Sequence, residues 1–460
     1  MLEHLETTAI MLNYAAISAR AKSYESTMVK LLRELVAIPG ESCTEGPVIA
    51  RIKKELESLK VYDKVWTDKF GNLFAKLGNG PRLLAIDAHV DTVGIGDRAN
   101  WKHDPYKGKI DKGIVYGRGA GDQRGAIPPM IYAGKIIDEL GLRSDEWTLL
   151  LTFTVCEEDC DGLCWQYIVN EDKIRPEAVV ITDSTDCNIL RGQRGRMEIG
   201  VTVHGRSCHG SMPHKGDNAV YKIAKVINEI EALNPKLRKH KFLGDATIVV
   251  SYVDCKTPSM CAVPDQAYIH LDRRLTFGDT KESAVAEVKA AIKRAGVTAD
   301  VEVKRYSRPT WTGLVYETEN FFPTWCEEED APQVAAAVKA YQSLFKKKPT
   351  VGRWTFSTNG VAIAGMHGIP SVGFGPAPES VAHTVNDSVP IEHLVKCAAF
   401  YAAFPATYCG MGQPAKAASS KGVGKVARAK KSAVAPKRGR RSVSRKGTKR
   451  QREPLPMGHL

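Results

Sequence analysis

The sequence predicts an α/β fold: a mixed, mainly parallel sheet flanked by helices, with an inserted ferredoxin-like α+β unit. Three observations predict it. Short apolar runs such as Leu83-Leu84-Ala85-Ile86 read as strands buried on both faces, as in a parallel sheet. Strand and helix patterns alternate as far as Asp183, the rhythm of βα units. Residues 192–308 then follow a different order, β-α-β-β-α-β. The chain has 460 residues, 43% apolar and 25% charged, so it is globular material too long for one simple core.

The elements follow in order. Residues 24–35 place apolar side chains at helical spacing, and Ile38-Pro39-Gly40 stops that helix. Residues 149–155 form a further buried strand, and Ala178-Val179-Val180-Ile181 another, ending at Thr182-Asp183. Residues 197–203 alternate like a strand with one exposed face. A helix over 218–233, with Asn218 as a plausible cap, precedes strands at 246–253 and 267–275. Asp279-Thr280-Lys281-Glu282 opens a helix ending at Gly296, and 301–304 is a last short strand. The chain then returns to the first sheet through a helix at 335–345, a strand at 371–374 and a closing helix at 391–403. The expected domains are 1–191 and 309–410, two parts of one unit, with 192–308 inserted and 411–460 a tail.

Charge is divided unevenly. The tail holds 15 Lys/Arg and one Glu; the other 410 residues hold 50 Lys/Arg and 51 Asp/Glu. The body is near neutral. The tail has almost no large apolar residue and is expected to be disordered. Its clusters, such as Lys437-Arg438-Gly439-Arg440-Arg441, suit nucleic acid or import machinery, with a solubilising extension as the alternative. The final Gly-His-Leu only loosely approaches a peroxisomal address. No run of about 18 apolar residues suggests a membrane span. The N-terminus carries Glu3 and Glu6 rather than a basic leader, and eleven cysteines fit reduced thiols. A cytoplasmic location is expected, with a nuclear one open through the tail.

The chemistry lies in polar stations just past the apolar runs: His89-x-Asp91, Asp122, Glu157-Glu158, Asp183 and, much later, His383. Open α/β sheets place their ligand sites at the carboxyl ends of strands, so these loops can converge. Two imidazoles and several carboxylates converging there suit two divalent cations, zinc foremost. In an extended segment His89 and Asp91 face one side, so His89 ligates while Asp91 holds its other ring nitrogen; a chance His-x-Asp is the alternative. Asp122 lies in Gly117-Arg118-Gly119-Ala120-Gly121-Asp122-Gln123-Arg124-Gly125, whose spacing fits neither a phosphate loop nor a dinucleotide fingerprint. One carboxylate presented there can bridge two cations. Of Glu157 and Glu158, one can ligate and the other hold a water; a solvated acidic turn is the alternative. Cys156, Cys160 and Cys164 read as one helix face rather than a metal–thiolate site, since no second cysteine cluster accompanies them.

Taken together, Ala88-His89-Val90-Asp91-Thr92, Gly117 to Asp122, Glu157-Glu158-Asp159 and Ala382-His383-Thr384-Val385-Asn386 resemble the M20 family of dimetal peptidases and deacylases. That family includes acetylornithine deacetylase, succinyl-diaminopimelate desuccinylase and glutamate carboxypeptidase. The segment 157–168 is most similar to the subgroup labelled selenium metabolism-linked hydrolases. The resemblance, over about 28–408, implies one metal held by His89, Asp122 and Asp183 and a second held by Asp122, Glu158 and His383. Two Zn2+ ions are implied, with Co2+ or Mn2+ as alternatives. Glu157 is the implied general base acting on a metal-bridged hydroxide, and Asp91 orients His89. His209, in the insertion, is implied to reach across a homodimer formed through 192–308 and to stabilise the oxyanion. Arg274 is the implied partner of a substrate carboxylate, with neighbouring Arg273 as alternative. Trp354, Ser357 and Asn359 lie in a loop expected to line the pocket, with Asn359 as a second substrate contact. The activity implied is cleavage of an amide or peptide bond in a small N-acyl amino acid or dipeptide-like substrate. The alternative is an inactive scaffold of the same type with a nucleic-acid-binding or nuclear-targeted tail. Asp387 departs from the pattern, which usually has Glu there.

Overall fold

The computed structural model describes residues 12–410. The expectations for the extreme N-terminus, residues 1–11, and for the tail 411–460 lie outside the described residues.

The central sheet has eight strands. Its order is Lys64–Thr67, Leu73–Leu77, Trp147–Thr154, Arg82–His89, Ala178–Ile181, Ser371–Gly373, Ile189–Leu190 and Val351–Gly352. The four in the middle run parallel. Lys64–Thr67 and Leu73–Leu77 add an antiparallel edge, so the sheet is mixed. Trp147–Thr154 is buried along its whole length, its three threonines included, whose hydroxyls donate to the Gly80 carbonyl and to Asp87. Helices Tyr14–Ser23, Glu25–Val36, Ile127–Glu139 and Ile391–Gly410 pack against one another to cover the sheet. The closing helix continues seven residues beyond the expected 403. Pro405 sits inside it, and Phe400, Phe404 and Tyr408 stack along its buried side.

The parallel register positions the chemistry. His89 is the last residue of its strand and pairs with Thr154; Ile181 pairs with Asp87. The loops starting at Val90, Val155 and Thr182 therefore leave the sheet at one level on one edge, where this class of sheet binds ligands.

The insertion forms its own antiparallel sheet in the order Thr247–Lys256, Gln266–Leu275, Gly195–His204, Ala299–Val303. Burial alternates along Gln266–Leu275, so one face packs under helices Ala219–Leu233 and Lys281–Arg294. Met197, Ile199, Val201, Ile269 and Leu271 belong to a second core separate from that of the main sheet. Asn218 caps its helix by accepting from the amides of Val220 and Tyr221. A fifth strand comes from Phe321–Phe322, which pairs with Arg196 and Met197 beyond the expected boundary at 308.

Candidate metal centre

His89 is buried at the end of its strand. Its Nε2 lies 3.2 Å from Asp122 Oδ1 and 3.7 Å from Asp183 Oδ1. Its Nδ1 lies 3.3 Å from Asp91 Oδ1, as the shared direction of residues i and i+2 requires. The other Asp91 oxygen accepts from Ser42 Oγ at 2.6 Å and from the Glu158 amide at 3.0 Å, which fixes the carboxylate. On the far side of Asp122, His383 Nε2 lies 3.3 Å from Oδ2 and 2.8 Å from Glu158 Oε2.

The side chains thus form two clusters that share Asp122. One is His89, Asp122 and Asp183; the other is Asp122, Glu158 and His383, and the candidate ligand atoms of each lie within 4.8 Å of one another. Glu157 faces the first cluster, its Oε2 3.8 Å from His89 Nε2. Glu157 Oε1, Glu158 Oε1 and Asp183 Oδ2 are buried without a hydrogen-bond partner. Buried acceptors left unpaired are costly, and divalent cations would satisfy them. Imidazole nitrogens with carboxylate oxygens are the donor set of zinc, cobalt and manganese.

The electrostatics agree. Burial pushes Glu158 up to about 7, with Asp122 adding repulsion, and pushes Asp183 up to about 6. Burial also drives Glu157 well above the carboxylate range, although the charge on His89 opposes it. Asp122 and Glu158 hold His383 up at about 10. A surplus of carboxylates in a dry site favours whatever brings positive charge.

The Gly-rich loop is held by Asp387, marked in the sequence only by its departure from Glu, and by Arg124, which sequence reasoning did not single out. Buried Asp387 accepts from the amides of Gly119 and Gly121 at 2.6 and 2.7 Å and pairs with Arg118 at 3.2 Å. The expected departure from Glu thus falls on a residue that braces the Asp122 loop. Arg124 is buried and donates to the carbonyls of Leu35, Ile38, Gly40 and Val90, tying helix Glu25–Val36 and the His89 loop to the same segment.

A cavity of about 410 Å3 opens over the metal cluster. Arg274, Arg196, Asp161, Phe356, Ser357 and Glu379 line it around the clustered ligands. Arg273, the alternative to Arg274, is fully buried and pairs with Asp279 and Glu287, so it serves the insertion's own packing. Asn359, expected as a substrate contact, does not line the cavity. It is fully buried; its amide donates to Asp87 and Thr154 and its oxygen accepts from the Gly162 amide, so it braces the Glu157 loop rather than meeting a substrate. Trp354 is likewise buried, donating to the Ser184 carbonyl. The expected cysteine helix is also corrected: Cys156 and Cys160 lie in the turn before helix Leu163–Asn170, and only Cys164 is helical. His209 is exposed in the insertion, bonded to Ser211 at 2.7 Å, and does not line this chain's cavity.

The profile described as Peptidase family M20/M25/M40 matches residues 85–407, a span holding all five clustered ligands. The chain belongs to this peptidase family. It is 52% identical over 395 residues to the "uncharacterized protein YgeY" of Escherichia coli K12, covering 86% of this chain and 98% of YgeY. It is 24% identical over 389 residues to the succinyl-diaminopimelate desuccinylase of Rhodospirillum centenum, covering 81% and 95%. Among solved structures, the aminopeptidase PepT of Bacillus cereus superposes with a TM-score of 0.65 at 22% identity, covering 84% of this chain and 99% of that one. YxeP of Bacillus subtilis, described as a dinuclear metal-binding peptidase, gives 0.62 at 14% identity, covering 84% and 99%. As an M20 protein the chain is an enzyme of the metallopeptidase and amidohydrolase class, with a candidate metal site at the sheet edge. No helix among the described residues is long and apolar enough to cross a membrane.

Proposed function

We propose that this chain is a cocatalytic zinc hydrolase that cleaves the amide or peptide bond of a small N-acyl amino acid or dipeptide-like substrate. The observation that carries the reading is the sharing of Asp122 between two ligand clusters. His89, Asp122 and Asp183 would hold one ion; Asp122, Glu158 and His383 the other. When bound, two divalent cations polarise a carbonyl and make water acidic near neutral pH. Cobalt or manganese would serve the same donors.

The chain's own residues do the rest. Glu157, driven upward by burial, is suited to take a proton from water on its unpaired Oε1 and deliver it to the leaving amine. Asp91 keeps His89 in one orientation. Arg274 faces the cavity with a partly exposed guanidinium and would receive a substrate carboxylate. Residues 1–191 with 309–410 would form the catalytic domain and 192–308 the dimerisation domain. Strand Thr247–Lys256 supports a homodimer: it is an edge strand, and Val249, Tyr252 and Val253 are about half exposed on it. His209 would then enter the partner's cavity. The retired-scaffold alternative loses force because every clustered ligand is present.

The test is hydrolysis of a panel of N-acyl amino acids and dipeptides by chelator-treated protein, with and without added zinc, cobalt or manganese. Metal-dependent release of free amine is expected. Metal binding without hydrolysis of any panel member would contradict the substrate class.

A further inference from the structure

Next to the first cavity lies a second, of about 600 Å3, that the proposed hydrolysis does not use. Arg194, Lys239, His240, Lys241 and Arg353 line it, and Asp245 is its one carboxylate. Its walls come from two parts of the chain: Arg194 and residues 239–247 from the insertion, Arg353 and Thr355 from the returning segment.

The cations there are poorly compensated. Among the described residues Arg194, Lys241 and Arg353 form no ion pair, and Lys239 reaches Asp245 only at 4.0 Å. Arg194 donates to the Asp245 backbone carbonyl at 2.8 Å, a contact that leaves its charge unneutralised, and its buried Nε has no partner. Burial lowers the affinity of Arg194 for its proton, the charges of Arg353 and Arg274 lower it further, and Asp245 and Asp272 offset this only in part. His240 Nδ1 accepts from the Leu243 amide at 3.0 Å, which puts the proton of the neutral ring on Nε2 as a further donor. Gathering like charges around one cleft costs free energy, and a multiply charged oxyanion would offset it.

We propose that this cleft is a binding site for a phosphate dianion, free or as the phosphoryl end of a small ester, separate from the metal centre. Guanidinium forks from two sides suit its tetrahedral oxygens. The lining holds no Phe, Tyr or Trp to stack on a base, which favours a small phosphate over a nucleic acid. The site also touches the wall of the first cavity. Thr355 donates from its amide and hydroxyl to Glu379, which lines that cavity, and Thr247 pairs in register with Arg274. A bound anion would bridge the insertion to the returning segment beside the substrate site.

The test is calorimetric titration of the full-length, metal-loaded protein with inorganic phosphate and, separately, glycerol 3-phosphate at fixed ionic strength. Saturable binding with a Kd of about 1 mM or tighter is expected. Equal affinity for both identifies the free ion as ligand; tighter binding of the ester identifies a phosphoryl end. Arg194→Ala and Arg353→Ala should each weaken binding about tenfold or more, and His383→Ala should leave it unchanged. Lys241→Ala, at the cleft rim, replaces either arginine variant that fails to give a native melting curve. Three results would overturn the proposal: no saturation by either ligand, binding retained in the cleft variants, or binding lost with His383→Ala. The second would place the anion on the basic tail, the third at the metal centre.

Discussion

At the residue scale, Glu157 and Glu158 are adjacent in sequence but have different partners. Glu158 pairs with His383 at 2.8 Å, whereas Glu157 faces His89 at 3.8 Å; each keeps its other buried oxygen unpaired. Glu157→Gln preserves shape and removes the proton acceptor. It should retain the metal content of the parent by elemental analysis while kcat falls by about 10²–10⁴; unchanged kcat would refute the base assignment. Asp387 acts one step away. Asp387→Ala removes the acceptor for two loop amides and should weaken metal affinity by about 10–100-fold, measured by competition with a chromophoric chelator. Asn359→Ala should cost about 1–3 kcal/mol in denaturant unfolding, because it leaves buried Asp87 and the Gly162 amide short of partners. KM should stay near the parent value, which separates a bracing role from a substrate contact.

At the scale of elements, the strands that carry the site were legible because burial on both faces favours runs that are mainly apolar. Trp147–Thr154 and Ala178–Ile181 are buried throughout, and the ligands Glu158 and Asp183 follow four and two residues after them. The insertion was legible for the opposite reason, since one exposed face imposes alternation. What escaped was set by tertiary partners. Asn359 sits beside cavity-lining Ser357 in sequence, yet its side chain turns inward to Asp87. The turn at Cys156 and Cys160 contains residues that could continue a helix. It is instead held by contacts from elsewhere, including the Glu45 carboxylate on the Cys156 amide. Arg124 gave no local signal and Asp387 only its departure from Glu, since their partners lie more than eighty positions away or on backbone groups.

For the whole molecule, Glu158, Asp183 and His383 link stability to pH in one direction, while Asp122 and Asp91, held low by the imidazoles despite their burial, act the other way only in acid. Glu158 and Asp183 have folded values near 7 and 6, above the usual carboxylate range. Such groups favour the fold when protonated, so their contribution is complete below about pH 4 and is lost as pH rises through those values. His383, raised to about 10, contributes stability present below the ordinary imidazole value and lost as pH climbs through about 10. Chelator-stripped protein should therefore show a melting temperature that declines from about pH 5 to about pH 10. Two bound cations should largely flatten that decline at its acidic end. A stripped protein that melts at the same temperature across this range would contradict the crowded-carboxylate description. Light scattering should give a dimer, and Val249→Asp on the free edge strand should shift the mass toward the monomer.

The most direct measurement is the number of ions bound per chain. Stripped protein reconstituted with zinc and freed of excess should carry two per chain by elemental analysis. His383→Ala should carry one, because His89, Asp122 and Asp183 remain as a complete cluster. A parent that binds no zinc, or a variant that still binds two with unchanged affinity, would contradict a centre built on shared Asp122.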